Sequence, residues 1–366
     1  MSTTGERIPV TVLSGALGAG KTTLVNRLLS NPGDRTIAVV VNDVGDVNVD
    51  AELIAEENEE TGVVDLSNGC ICCGLQGDLL TEVSDLADRR SFDYLVVEAS
   101  GVSEPVPIAQ AFTLGSDDAD IDPTERFRLD TMVSVVDAYG FWKEFDPATN
   151  RAVEEGGRSL SEVFVDQVEF CDVLLLNKCD TVPDDDLDEV DALIRELQPR
   201  AAIYRTEYSD VDPETVLDTG LFDFEEAQQA AGWKRHLAGE SGHDHGADGH
   251  HHAGASHAVS TFTYETERPF HPARLDEWLD DWRGDVVRAK GFFKLATRPD
   301  TVMGLSQAGP SVQAGPLGEW GPDDDRRTRL VFIGTEMDEA EIRAELDDCL
   351  VRDEEPLDRV SDPFPA

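Results

Sequence analysis

Along the first two hundred residues, short, mostly continuous apolar runs alternate with stretches in which apolar residues recur at helical spacing. The runs are Val10 to Leu13, Thr36 to Val41, Tyr94 to Val97, Met132 to Val136, Val173 to Leu176 and Ala201 to Tyr204. Continuous Val/Ile/Leu, rather than strict alternation, predicts strands covered on both faces, as in a parallel sheet. Between them Leu24, Val25, Leu28 and Leu29, and then Leu75, Leu79, Val83 and Leu86, follow the 3.6-residue period of amphipathic helices. Asn31-Pro32-Gly33 ends the first of these with residues that cannot continue a helix. Strand and helix in alternation predict an α/β domain with crossover helices.

The pattern changes after His236. Gly, Ala, Ser, Asp and His without periodicity predict a flexible linker. Beyond it, Ser260 to Glu265 alternates like a strand, and Leu275, Trp278 and Leu279 mark a helix over Ala273 to Trp282. Val286 to Leu295 and Arg329 to Ile333 read as strands and Asp338 to Val351 as a last helix, which together predict a smaller α+β domain. The expected boundaries are 1–235, 236–257 and 258–366, with the residues from Asp353 onward frayed.

A chain of 366 residues has room for about two domains. Its charge is lopsided: 76 Asp plus Glu face 30 Lys plus Arg, a net charge of -46. Nucleic acid and anionic membrane surfaces are repelled by such a field, so neither is expected as a partner. No apolar run approaches the ~18 residues of a membrane span, and Met1 to Pro9 lacks the basic and apolar parts of a secretion signal. The expectation is a cytoplasmic protein of a cell adapted to high salt. With 40% hydrophobic residues the chain has enough apolar material to fold despite its charge. Lysine is scarce, with six in all (Lys21, Lys143, Lys178, Lys234, Lys290, Lys294), and two of them fall in motifs that carry chemistry.

The first motif is Gly15-Ala16-Leu17-Gly18-Ala19-Gly20-Lys21-Thr22, followed by Thr23 and set between a strand and a helix. Glycines let backbone N–H groups converge on phosphate oxygens, Lys21 reaches the β- and γ-oxygens, and the Thr22 hydroxyl suits Mg²⁺. The second is Asn177-Lys178-Cys179-Asp180 at the end of the fifth apolar run. A carboxylate at Asp180 accepts from the N1–H and exocyclic amine of guanine, whereas adenine presents an acceptor at N1, so GTP is expected over ATP. The third is Glu98, which ends a strand and is followed by Ala99-Ser100-Gly101. Its carboxylate suits Mg²⁺ directly or through water, and the Gly101 N–H suits a γ-phosphate.

Of six cysteines, Cys70, Cys72 and Cys73 crowd into a loop flanked by Gly69 and Gly74. Three thiolates suit Zn²⁺, or another thiophilic ion such as Cu(I) or Co²⁺, and the missing fourth ligand fits a site that exchanges its metal. Cys171, Cys179 and Cys349 lie singly and are expected to pack. Six of the eight histidines, His243, His245, His250, His251, His252 and His257, fall between 243 and 257 in the linker, where they predict weak, multivalent metal collection.

Together these residues resemble the CobW family of P-loop GTPases, which includes zinc metallochaperones. The resemblance runs through Gly15 to Thr23, Cys70 to Cys73, Glu98 to Gly101 and Asn177 to Asp180, and continues in Arg268-Pro269-Phe270-His271-Pro272, Arg288 to Phe292 and Phe332-Ile333-Gly334. It implies a P-loop GTPase domain with a smaller carboxy-terminal α+β domain, slow GTP hydrolysis assisted by Lys21, Thr22 and Glu98, and nucleotide-dependent transfer of zinc or cobalt to an acceptor protein. The family's switch segment usually reads Asn-Glu-Phe-Gly, and here it is Asn42-Asp43-Val44-Gly45. Asp43 keeps the charge on a stem one methylene shorter, which weakens its assignment as a metal ligand relative to the cysteines. Two rivals remain at this stage: a metal buffer gated by GTP, and a maturation GTPase for a cobalt or nickel enzyme, including the cobalamin pathway.

Overall fold

In the computed structural model the described residues are 7–41, 62–65, 76–101, 105–114, 123–145, 159–229, 259–281, 284–322, 324–352, 355 and 360–365. The first apolar run becomes β1 (Ile8–Ser14), the central strand of a seven-stranded sheet. Its companions are β2 (Ile37–Val41), β3 (Gly62–Asp65), β4 (Tyr94–Glu98), β5 (Phe127–Asp137), β6 (Val173–Asn177) and β7 (Ala202–Arg205), in the order β3-β2-β4-β1-β5-β6-β7. Every pairing among them is parallel. All six expected strands are present, and β2, β4 and β6 are buried at every position, as their unbroken apolar runs require.

Alternation along β1 builds two apolar layers. Val10 and Val12 pack with Leu79 and Val83 of α2 (Gln76–Arg89) and with Ile108 and Phe112 of α3 (Pro105–Leu114). Leu13 faces the other way, toward Leu24, Val25 and Leu28 of α1 (Lys21–Ser30). The chain also forms α4 (Ala138–Phe145), α5 (Leu160–Glu169), α6 (Asp184–Leu197) and the short α7 (Phe224–Gln229). From β1 the chain visits β2, β3 and β4 on one side and then crosses to β5, β6 and β7 on the other. The carboxyl end of β1 is therefore the topological switch point, where open parallel sheets bind ligands. Register places Glu98 of β4 beside Leu13, and Ser134 of β5 beside Ser14.

The carboxy-terminal sheet is antiparallel, with β8 (Val259–Thr266), β9 (Val286–Leu295), β10 (Arg298–Ala308), β11 (Ser311–Glu319) and β12 (Thr328–Thr335) in the order β11-β10-β9-β12-β8. One face carries Phe262, Phe293, Leu305 and Phe332, packed with Leu275 of α8 (Pro272–Asp280) and with Ile342 and Leu346 of α9 (Glu339–Asp348). The hairpin of β10 and β11 was not expected from the sequence, because Gly304, Gly309, Pro310, Gly315, Pro316 and Gly318 interrupt any strand pattern. Its position explains the tolerance: β11 is an edge strand, where proline breaks no ladder on the open side. The chain divides into two compact units, Met1–Phe141 with Asp166–Leu187 and Arg200–Ala230, and Trp142–Val165 with Asp188–Pro199 and Ala231–Ala366. No described helix is long and apolar enough to cross a membrane.

Asp172, just before β6, has an energetic signature. Burial raises its carboxyl to about 6, against the opposing effect of the Met132 N–H that donates to Oδ2 at 2.8 Å. The folded state thus holds this proton more tightly than the unfolded chain, and its contribution to stability falls as pH rises from about 4 through about 6. Asp172→Asn keeps an acceptor for Met132 without the charge. It is expected to raise the melting temperature at pH 7.5, with a gain that shrinks at pH 5. An equal gain at both pH values in thermal melts contradicts this account.

Candidate functional site

After Ser14 the backbone turns so tightly that a Cβ on Gly15 would lie 2.3 Å from the Val135 carbonyl oxygen, at a φ of 147°. At Gly20, with φ 115°, a Cβ would meet Asn177 Nδ2 at 2.4 Å and Ser209 Oγ at 2.9 Å. Both positions need glycine. Between them Gly18 and Ala19 complete a loop that delivers the chain into α1 at Lys21. No acidic residue stands in the first turn of α1, so the positive end of the helix faces the loop unopposed by its own side chains. Lys21 is 6% exposed, and its Nζ donates to the carbonyls of Gly15 at 2.8 Å and Ala16 at 3.3 Å. A buried ammonium and a helix N-terminus converging on one glycine loop suit an anion such as phosphate.

Thr22 and Glu98 meet beside it. Thr22 Oγ1 donates to Glu98 Oε1 at 3.1 Å, and Glu98 is 2% exposed at the end of β4. Neighbouring ligands of an octahedral Mg²⁺ with bonds of ~2.0–2.1 Å lie roughly 2.9 Å apart, so this oxygen pair fits such an ion. Gly101 follows, pressed so closely on the loop that a Cβ would stand 2.7 Å from the Leu17 nitrogen. Its carbonyl accepts from Nε2 of the buried Gln167 on α5 at 3.3 Å. Thr23 is exposed on the first turn of α1 and, with Thr22, opens a polar groove of about 630 Å³ that runs along Asn26 and Arg27 to Asp210 and Val211.

The second expected motif lies on the neighbouring loop, and Asn177 has a role there that its spacing alone does not reveal. It is 2% exposed; Nδ2 donates to the Ala19 carbonyl at 2.8 Å, and Oδ1 accepts from Thr206 Oγ1 at 3.1 Å and the Ser209 N–H at 2.8 Å. Ser209 Oγ donates in turn to the Gly20 carbonyl at 3.0 Å. Asn177 thus joins the glycine loop to the segment after β7. Lys178 follows in the left-handed region, at φ 61°, and Asp180 is exposed in the short 3-10 turn Cys179–Thr181. Burial pushes the Cys179 thiol up, consistent with packing. Tyr208 and Ser209 both have φ 53°, and Arg27 of α1 holds this strained pair by donating to the Tyr208 carbonyl at 2.8 Å and to Asp210 at 2.6 Å.

Sequence reasoning missed Thr206, Ser209, Arg27 and Gln167. The signal available was position, since Thr206 to Asp210 follow the last strand at the same sheet edge. Asp43, Cys70, Cys72, Cys73, His243, His245, His250, His251, His252 and His257 lie outside the described residues. Among the described residues, no group of three or more His, Cys, Asp or Glu could hold a metal ion.

The geometry ranks two substitutions. Asn177→Ala removes three bonds and strands a buried carbonyl, and is expected to weaken nucleoside triphosphate binding about 100-fold; Ser209→Ala removes one and should cost about fivefold. Calorimetric titration checks the ranking, and equal losses contradict it.

Comparison with known proteins agrees with this architecture. The family described as CobW/HypB/UreG, nucleotide-binding domain, matches residues 9–205, and the one described as cobalamin synthesis protein cobW C-terminal domain matches residues 259–350. The zinc-regulated GTPase metalloprotein activator 1 of Dictyostelium discoideum is 36% identical, across 96% of this chain and 82% of that protein. The zinc chaperone CobW of Pseudomonas aeruginosa is 30% identical across 93% of this chain and 91% of its own length. For the zinc chaperone YjiA of Escherichia coli the identity is 27%, across 92% and 97%. The loop at Gly15 to Thr23, the two-domain order and these matches make the chain a member of the CobW/HypB/UreG family of P-loop GTPases.

Proposed function

We propose that the protein is a GTP-hydrolysing metallochaperone that holds zinc, or alternatively cobalt, on the loop of Cys70, Cys72 and Cys73 and passes it to an acceptor protein as its nucleotide state changes. The observation that carries this reading is the bond from Asn177 to Ala19, which fastens the glycine loop to a turn bearing an exposed carboxylate at Asp180. Phosphate binding and base reading then act on one ligand. The names of the relatives favour zinc as the cargo.

In this reading the backbone from Gly15 through Gly20 and the N–H groups of Lys21, Thr22 and Thr23 surround the phosphates. Lys21 lies against the β- and γ-phosphates and stabilises charge on the leaving diphosphate as water attacks the γ-phosphorus and the bond to the β-phosphate oxygen breaks. Thr22 and Glu98 hold Mg²⁺, which neutralises phosphate charge when bound. The Gly101 N–H senses the γ-phosphate, and Lys178 and Asp180 take the base beside Asn177. The cysteine loop and Asp43 stand in the chain between the glycine loop and Glu98, so the segments that hold metal and γ-phosphate are neighbours in sequence. Loss of the γ-phosphate relaxes that region and loosens the thiolate cage. The histidines from His243 to His257 collect ions weakly for it. The acidic surface fits a cytoplasm of high salt.

Two experiments test the reading. Purified protein should hydrolyse GTP and largely ignore ATP, and Asp180→Asn should weaken GTP while admitting the xanthine nucleotide, whose C2 carbonyl replaces the guanine amine; equal rates with GTP and ATP remove the base-reading argument. Replacing Cys70, Cys72 and Cys73 by Ser should abolish tight 1:1 zinc binding and leave GTP affinity within about twofold, because Lys21, Thr22 and Asp180 are untouched. Deleting His243 to His257 should reduce the weaker, additional zinc equivalents alone. Unaltered tight binding in the cysteine variant, read by competition with a chromophoric chelator, overturns the assignment of the cargo site.

A further inference from the structure

The base-reading turn has a neighbour that no sequence motif announces. Asp137 ends β5, in register with Asn177 at the end of β6. Its two carboxylate oxygens do different work. Oδ1 accepts from the N–H groups of Tyr139 and Gly140, both at 3.1 Å, and so caps the first turn of α4. Oδ2 accepts from Lys178 Nζ at 2.6 Å. The side chains of Lys178 and Asp137 are 37% and 22% exposed, so the pair is partly shielded from water.

An exposed ion pair between two mobile side chains is worth little, because ordering both ends offsets the attraction. Here the acidic end is already ordered by the helix cap. The basic end leaves a backbone held in the left-handed region between the buried Asn177 and the 3-10 turn that carries Asp180. Fixing both the Cα and the ammonium of a lysine also fixes the four methylenes between them, an apolar stem with a charged tip. The stem leaves the same turn as Asp180, two residues before it.

We infer that Asp137 is a positioning residue for nucleotide base recognition, tethering Lys178 so that its stem forms a wall for the guanine while leaving the phosphate-binding half of the site untouched. This rests on the GTP reading above. It separates two parts of nucleotide affinity: the tether acts on the base, and the glycine loop with Lys21 acts on the phosphates. Asp137→Asn retains an acceptor for the α4 cap, since Asn caps helices as well as Asp does, but faces the Lys178 ammonium with no charge. Asp137→Glu retains the charge.

The test measures binding of GTP, ATP and inorganic tripolyphosphate, each with Mg²⁺, to the full chain and its variants, together with KM, kcat and melting temperature. Wild type should prefer GTP to ATP. Asp137→Asn should weaken GTP roughly tenfold and raise KM for GTP by a similar factor, with tripolyphosphate affinity within twofold and kcat little changed. Asp137→Glu should recover at least part of the loss. Adding Lys178→Met to Asp137→Asn should cost less than Lys178→Met costs alone, because the tether is already gone. Parallel loss of GTP and tripolyphosphate makes Asp137 a support of the phosphate loop and overturns the inference, as does unchanged GTP affinity in Asp137→Asn. If Asp137→Asn does not fold, Asp137→Ser, which also caps helices but carries no charge, takes its place: weakened GTP at unchanged tripolyphosphate affinity supports the inference, and wild-type GTP affinity in that variant overturns it. A wild type that binds GTP no better than ATP fails the GTP reading itself and takes this inference with it.

Discussion

Asn177 stands where three chain segments meet at the carboxyl end of the first sheet, and its side-chain amide is the bond that makes one site of them. One amide serves the glycine loop through Ala19 and the segment after β7 through Thr206 and Ser209. A side chain 2% exposed can afford no wasted polar atoms, so its partners are fixed as firmly as the strand that carries it. The glycine at position 20 follows from the same constraint, because any side chain there would collide with Asn177 and Ser209. Sheet topology brings the loops to one edge, and this amide sets the distance between the loop that suits phosphates and the turn that suits a base.

Charge is distributed to the same end. In a chain of net charge -46, Lys21 and Lys178 are placed within the candidate nucleotide site, one held by loop carbonyls and the other by Asp137. A protein with so many carboxylates repels a triphosphate at long range, and screening by salt reduces that cost more than it weakens contacts inside a shielded pocket. An acidic chain and a site that would take phosphate are thus compatible where salt is abundant.

Much of this arrangement is legible in the sequence. Continuous apolar runs announce buried parallel strands, and glycines ahead of Lys21 announce a loop that only a missing Cβ permits. What escaped was either short or chemically ordinary. β3 is four residues long, Gly62–Asp65, too brief for any period to register. β10 and β11 carry Gly and Pro, which read as loop, and only the edge position of β11 shows how its proline is accommodated. Thr206, Ser209, Arg27 and Asp137 are common residues whose importance lies in partners 29 to 189 positions away, and no local spacing encodes such a bond. The cysteine loop shows the converse: its chemistry is plain from composition, while its geometry lies outside the described residues.

The central claim is that nucleotide and metal are sensed together, and the most direct measurement is the zinc dissociation constant with Mg²⁺ and a non-hydrolysable GTP analogue, with GDP, and with no nucleotide. A coupling of about 1–3 kcal/mol corresponds to zinc bound roughly 5- to 150-fold more tightly in the triphosphate state, and linkage requires zinc to tighten the analogue by the same factor. Identical zinc affinity in all three states contradicts the chaperone cycle and leaves a metal buffer carried on a GTPase fold.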